Sequence, residues 1–269
     1  MSAARGRGFD RLLAYIEESM GFATSMYNDA YLDRRISARM RRNDTDGYRA
    51  YQRLLEADDG EQQELLDTLS VNVTSFFRNP DVWEALRPVL RELTATGRTK
   101  VWSAACSDGR EAYSLAMLAH DDPQVREDRI RITGTDIKRE ILRKATRGEY
   151  HASETNDLEE QLAPIGDYGR YIERDENSYR VVPSLRRMVT FQRRDLIRES
   201  PPDEFDLILC RNLFIYIDSN AKRAVFETLG TGLRPDGYLT IGMTETVPAN
   251  CRSWFEPVEK RLRIYRNVR

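Results

Sequence analysis

The sequence predicts an α/β protein, a mostly parallel sheet covered by helices on both faces, preceded by an all-α segment. Three observations carry this. Residues 9–70 place apolar side chains at helical spacing, without a strand signal. From residue 100 onward, short β-rich apolar runs take over. Helical stretches alternate with those runs, as crossover connections between parallel strands require.

Taken in order, "FDRLLAYIEESMGF" sets Phe9, Leu12, Leu13 and Ile16 on one helical stripe. "AYLDRRISARMRR" puts Leu32, Ile36 and Met40 on one stripe and arginines on another, and "YRAYQRLLEA" and "EQQELLDTLSVNV" continue the pattern. The strands are expected in "KVWSAAC", "RIRITGTDI", "MVTFQRRD", "FDLILCRN" and "YLTIGMTE", with helices over 110–119, 138–147 and 219–233. Pro235 and Gly237 end the last helix before its strand. "KRLRIYRN" reads as an antiparallel edge strand. Residues 152–187 break the alternation. "YGRYIERDENSYRVV" holds two short β-like runs around a polar turn, a small β insertion at about 164–184. The expected division is a helical domain over 1–75 and an α/β domain over 76–269.

Composition excludes several classes. Charged residues make up 32% and hydrophobic residues 40% of 269, an ordinary globular balance. No stretch approaches the roughly 20 apolar residues of a membrane span. The start, "MSAARGRGFD", lacks an apolar signal core, so a cytoplasmic location is expected. Cys106, Cys210 and Cys251 are scattered, and His120 and His151 have no partner spacing, so no metal is expected. A net charge of −2 gives the whole molecule no nucleic-acid signature.

The turn "AACSDGREAYSLAM", residues 104–117, joins a strand to a helix where a doubly wound sheet binds ligands. A pyrophosphate there wants several glycines and no anions. This turn has one glycine, Gly109, and carries Asp108 and Glu111. The acids favour a ligand with cations, and Asp136 ends the next strand where a carboxylate takes ribose hydroxyls. S-adenosylmethionine, with its sulfonium, ammonium and ribose and no phosphate, suits that pattern. Asp108 and Glu111 also suit the simpler task of capping the helix that follows.

Five collinear segments resemble the CheR family of chemotaxis receptor methyltransferases, S-adenosylmethionine-dependent protein-glutamate O-methyltransferases. They are "YLDRRISARMRR", "NVTSFFRNPDVWEAL", "WSAACSDGREAYSLAM", "GTDIKREILRKATRGEY" and "FDLILCRNLFIYID". Arg110 and Ala112 replace the glutamate and proline of the family's turn, and Asp195 stands where the family commonly has asparagine. The resemblance implies a Rossmann-like class I methyltransferase domain with a small β-subdomain insertion, behind an all-α N-terminal domain. It implies that Asn72, Thr74, Arg78, Ala104, Glu111, Asp136, Asp195, Leu196, Arg211 and Asn212 line the S-adenosylmethionine site. Glu111 would meet the cofactor's ammonium, Asp136 its ribose, and Asp195 and Leu196 its adenine. Arg78 and Tyr216 would act at the reacting centre, with S-adenosylhomocysteine as product and no metal. Arg211 also has a structural reading, as the partner of a carboxylate.

Arg35, Arg39 and Arg42, spaced i, i+4, i+7 and joined by Arg34, are expected to form a basic face for acidic, glutamate-rich receptor helices. A solvated helix face is the plainer reading. In the family, some members tether to a receptor's C-terminal peptide through the β-subdomain, using a longer, glycine-containing loop. The short acidic turn "RDENS" predicts recognition without that tether. Methylation of RNA or of a small molecule, or a non-catalytic S-adenosylmethionine-binding regulator, are the alternative functions.

Overall fold

The structure, a computed structural model, describes residues 2–69, 74–153 and 156–269. It separates into two compact units, Met1–Asn72 with Tyr216–Lys222, and Val73–Ile215 with Arg223–Arg269.

The first unit is helical: α1 (Ser2–Met20), α2 (Asp29–Arg42), α3 (Tyr48–Ala57) and α4 (Asp59–Leu69). Asn28 caps α2, its Oδ1 accepting from the amides of Ala30 (2.9 Å) and Tyr31 (3.3 Å). Leu12, Ile16, Leu32, Ile36, Tyr51, Leu55, Leu65 and Leu69 are fully buried in one core, the stripes expected from helical spacing. A linear boundary assigns Tyr216–Lys222 to the α/β domain, but this segment packs with the helices. Tyr27 and Ile217 form an antiparallel bridge, and the Asn28 amide donates to the Tyr216 carbonyl at 3.0 Å. Main-chain pairing across so long a separation leaves no mark in local composition.

The second unit opens with α5 (Pro80–Thr96), which has proline in its first turn. Strand β1 (Thr99–Ala104) leads to α6 (Arg110–Asp121), β2 (Ile130–Asp136) to α7 (Arg139–Arg147), and β3 (Glu149–His151) to the short α8 (Leu158–Leu162). The hairpin β4 (Ile172–Asp175) and β5 (Ser178–Val181) precedes the one-turn α9 (Pro183–Arg186) and β6 (Val189–Arg193). Then come β7 (Phe205–Cys210), α10 (Ser219–Gly232), β8 (Leu233–Ile241), β9 (Phe255–Glu259) and β10 (Ile264–Asn267). The main sheet runs β6-β2-β1-β7-β8-β10-β9, parallel up to β8, with β10 antiparallel to both neighbours. The "KRLRIYRN" strand is therefore interior, and β9, with Pro257 and two glutamates, is the edge.

Alternate residues of β1 and β7 serve opposite faces. Val101, Leu207 and Leu209 join the core with residues of α5 and α6, while Trp102, Ile208 and Cys210 join Val225, Phe226 and Leu229 of α10. A smaller sheet, β3-β5-β4, is the β insertion. It starts at Glu149, ahead of the expected 164, because "EYH" is too short to show a period. Among the described residues, no helix is long and apolar enough to cross a membrane.

Candidate active site

The register of the parallel strands levels their carboxyl ends. Ala104 pairs with Thr135, Asp136 with Arg193, Ser103 with Leu209, and Cys210 with Ile241. Successive connections run one way from β1 to β2 and β6 and the other way to β7 and β8, so the sheet's switch point lies at β1 and β7. Five non-glycine residues around this end hold left-handed backbone: Phe77 (φ 45°), Asn79 (58°), Ala105 (57°), Ser107 (53°) and Asn212 (63°). Each such residue costs about 1–3 kcal/mol, so the surrounding contacts must over-determine the shape. Gly109 (φ 87°) caps α6, and a Cβ there would lie 2.8 Å from both the Ala145 Cβ and the Phe191 ring.

Glu111 sits in the first turn of α6. Its Oε1 accepts from the Ser103 hydroxyl at 2.8 Å, and its Oε2 lies 3.5 Å from Arg211 Nη1. Burial pushes its carboxyl above the ordinary range, and Arg211, Ser103 and Arg78 offset this only in part. Arg211 is itself buried, which lowers its pKa. Its Nη2 donates to the Arg78 carbonyl (2.7 Å) and to Asn79 Oδ1 (3.0 Å), and its guanidinium lies 5.5 Å from the Trp83 ring centroid. Among the described residues its buried Nε–H has no hydrogen-bond acceptor.

Asp136 accepts the Ser107 amide on Oδ2 (2.9 Å) and the Lys138 amide on Oδ1 (3.1 Å), which anchors the turn after β1 to β2. A carboxylate has about four lone-pair sites, so acceptor capacity remains for a ligand hydroxyl. Burial raises this carboxyl too, as it does that of Asp108. Asp108 meets Arg110 twice, its Oδ1 lying 3.4 Å from the Arg110 amide and its Oδ2 3.4 Å from the Arg110 Nε, both long contacts. Asp195 spends Oδ1 on the amides of Ile197 (2.9 Å) and Arg198 (3.2 Å), capping the turn after β6 beside buried Leu196. Asparagine makes the same cap through the same oxygen, so aspartate at this position preserves the turn.

Ala104 is the buried last residue of β1. Thr74 offers its carbonyl to Arg110 Nη1 at 3.2 Å. Asn72 lies outside the described residues. Glu111, Asp136, Arg211, Asn212 and the Arg78 backbone are thus gathered at one end of the second unit's sheet. Tyr216, Arg34, Arg35 and Arg42 belong to the first unit. There the Tyr216 ring lies 5.0 Å from that of Tyr31, over which the guanidiniums of Arg34 (5.9 Å) and Arg35 (5.6 Å) also sit.

Arg39 does not belong to the exposed basic face. It is 7% exposed and joined to Glu61 through Nε (3.0 Å) and Nη2, and to Glu64 at 3.1 Å. At about 100° per residue it lies about 40° from Arg35 but only about 60° from buried Ile36. Helical spacing leaves it on the border, and the buried Glu61 carboxylate decides its side.

Sequence reasoning passes over Glu245. This buried carboxylate beyond β8 accepts the amides of Gly242 (2.6 Å), Asn212 (3.0 Å) and Phe214 (2.6 Å). It thereby fixes the left-handed turn at Asn212. A Cβ on Gly242 would lie 2.6 Å from Glu245 Oε2 and 2.9 Å from the Asn212 nitrogens, so the turn requires glycine there. The available signal is an acid beside a glycine just past an apolar strand, "IGMTE".

A doubly wound sheet whose first strands lead to the buried carboxylates Glu111 and Asp136 suits a cationic, ribose-bearing ligand. The all-α domain of the CheR methyltransferases matches residues 7–70, and their SAM-binding domain matches residues 72–264. The chemotaxis protein methyltransferase of Listeria monocytogenes is 32% identical over 235 residues, covering 86% of this chain and 87% of that one. Those of Escherichia coli and Salmonella typhimurium are each 31% identical, covering 88% of this chain and 83% of theirs. The chain belongs to the CheR methyltransferase family and is an S-adenosylmethionine-dependent methyltransferase of chemotaxis.

Proposed function

We propose that the protein esterifies glutamate side chains on the cytoplasmic helices of chemotaxis receptors, converting S-adenosylmethionine to S-adenosylhomocysteine. The observation that carries the reading is Glu111, a buried carboxylate that Arg211 and Ser103 only partly compensate. An ammonium group placed beside it completes the pairing. Asp136 has lone pairs for ribose hydroxyls, and Thr74, Ala104, Leu196 and Asn212 flank the same strand ends. Bound S-adenosylmethionine supplies an electrophilic methyl group on a sulfonium.

The acceptor chemistry agrees with the rest of the site. A glutamate carboxylate is ionised at neutral pH and needs no general base. Both histidines lie elsewhere, His120 at the far end of α6 within 3.6 Å of Glu127, and His151 in β3. The protein's task is then to hold an anion in line with the reacting bond. Arg78 orients that anion. Arg34, Arg35 and Arg42 attract acidic receptor helices. The β4–β5 turn, only Glu176 and Asn177 long, supports recognition without a C-terminal peptide tether.

The test supplies radiolabelled methyl donor with receptor membranes, with receptor lacking its C-terminal tail, or with RNA. Base-labile label, released as methanol from both receptor preparations, is expected. Label on RNA alone, or stable to base, overturns the ester assignment, and loss of rate with the tail-less receptor overturns the untethered one. Arg78→Ala should cut turnover by on the order of 100-fold in a folded protein, in line with the loss of one aligned donor. Normal transfer would reduce Arg78 to a packing role.

A further inference from the structure

Residues 74–79 form an irregular segment with strained backbone at Phe77 and Asn79. Side chains from several elements, rather than a helix or strand, satisfy its main-chain groups. Arg110 Nη1 donates to the Thr74 carbonyl at 3.2 Å. The Phe76 amide donates to Gln161 Oε1 at 3.1 Å, and the Phe77 amide to Ser114 Oγ at 3.0 Å. The Arg78 carbonyl accepts from Trp83 Nε1 at 3.0 Å and from Arg211 Nη2 at 2.7 Å.

Arg110 is the hub of the first half. The same Nη1 reaches Asn156 Oδ1 (3.1 Å) and Gln161 Oε1 (3.3 Å), and Gln161 Nε2 donates to Asn156 Oδ1 at 2.9 Å. The guanidinium lies 5.1 Å from the Tyr150 ring centroid and 5.8 Å from that of Phe76. Asn156 Nδ2 in turn donates to the His151 carbonyl at 2.8 Å, which ties the network to the small sheet. A carboxylate cannot donate to three oxygens, so this network depends on the arginine.

We propose that Arg110 and Gln161 are positioning residues, a polar clamp that holds the Thr74–Arg78 segment in its active shape. The clamp deepens the reading of Thr74 and Arg78 given above and acts only through them. Strained backbone persists where its surroundings over-determine it, and two side chains from separate elements converging on consecutive peptide groups do so here.

The test uses the full-length protein with Arg110→Met, Gln161→Met, the double variant and Arg110→Lys. Hydrogen exchange is expected to deprotect the Phe76 and Phe77 amides at least tenfold in the methionine variants, while amides of α1–α4 stay unchanged. S-adenosylhomocysteine affinity should fall about tenfold in each single variant. The double variant should lose less than the product of the two, because both residues hold one segment. Arg110→Lys should recover part of the affinity. Wild-type exchange at Phe76 and Phe77 in folded variants overturns the clamp. So does loss of affinity matched by equal deprotection throughout the unit. Absence of methyl transfer to receptors by the wild-type protein would instead sink only the acceptor assignment, since exchange is read without an acceptor.

Discussion

Each unit buries an arginine–glutamate pair, and the two pairs are built differently. In the helical unit, Arg39 grips Glu61 through two nitrogens, and Tyr51 donates its hydroxyl to the same carboxylate. Burial alone would raise the Glu61 carboxyl, but the bonds from Arg39 and Tyr51 outweigh it and bring it below the ordinary value of 4.5. In the α/β unit, Arg211 stands 3.5 Å from Glu111 and spends its other nitrogen on the Arg78 carbonyl and Asn79. Here burial wins, and Glu111 stays above 4.5. A completed pair holds a fold together. An incomplete one, kept so by a framework that diverts its arginine, leaves charge for a ligand to compensate.

The largest expected effect tests the completed pair. Glu61→Ala leaves the buried Arg39 guanidinium only its contact with the exposed Glu64 and should destabilise the helical unit by about 3 kcal/mol, read as a lower denaturant midpoint. A shift under ~1 kcal/mol would mean that the pair is not structural. Next, Glu111→Gln should leave stability within about 1 kcal/mol while weakening S-adenosylhomocysteine binding about 10- to 100-fold, the scale of a lost charge-assisted contact. Calorimetry showing equal affinity, or unfolding comparable to that of Glu61→Ala, would erase the contrast.

Acidification separates the pairs by sign. Because the folded pKa of Glu61 is depressed, its contribution to stability is present above 4.5 and is lost as pH falls through that lower value. The folded pKa of Glu111 is raised, so its ionisation costs stability as pH climbs from 4.5 through that higher value. Binding of a cation to Glu111 should therefore weaken on acidification while the pH is still above 4.5. Titration of binding against pH should show this step in the wild type and a diminished one in Glu111→Gln. An unaltered step would assign it to Asp136. The smallest effect is expected from Glu64→Ala. Glu64 reaches Arg39 at 3.1 Å, but its side chain is 61% exposed, so the change should cost no more than about 1 kcal/mol in thermal denaturation. A cost equal to that of Glu61→Ala would mean that burial is not what distinguishes the pair.

The sequence by itself determined the helices of the first unit, five strands of the parallel sheet and the acidic turn after β1. Those features rest on periods of 3.6 and 2 residues and on the chemistry of adjacent side chains, all of which are local. The tertiary structure alone decided which charges are neutralised. Glu111 and Arg211 meet across 100 positions because β1 and β7 lie side by side. Arg39 and Arg35 look alike on a helical wheel, yet one is drawn inward by a glutamate 22 residues away. Glu245 reads as a loop acid until its carboxylate is seen holding the turn at Asn212. The burial of a charge and the partners that compensate it depend on strand order and register, which no window of the chain contains.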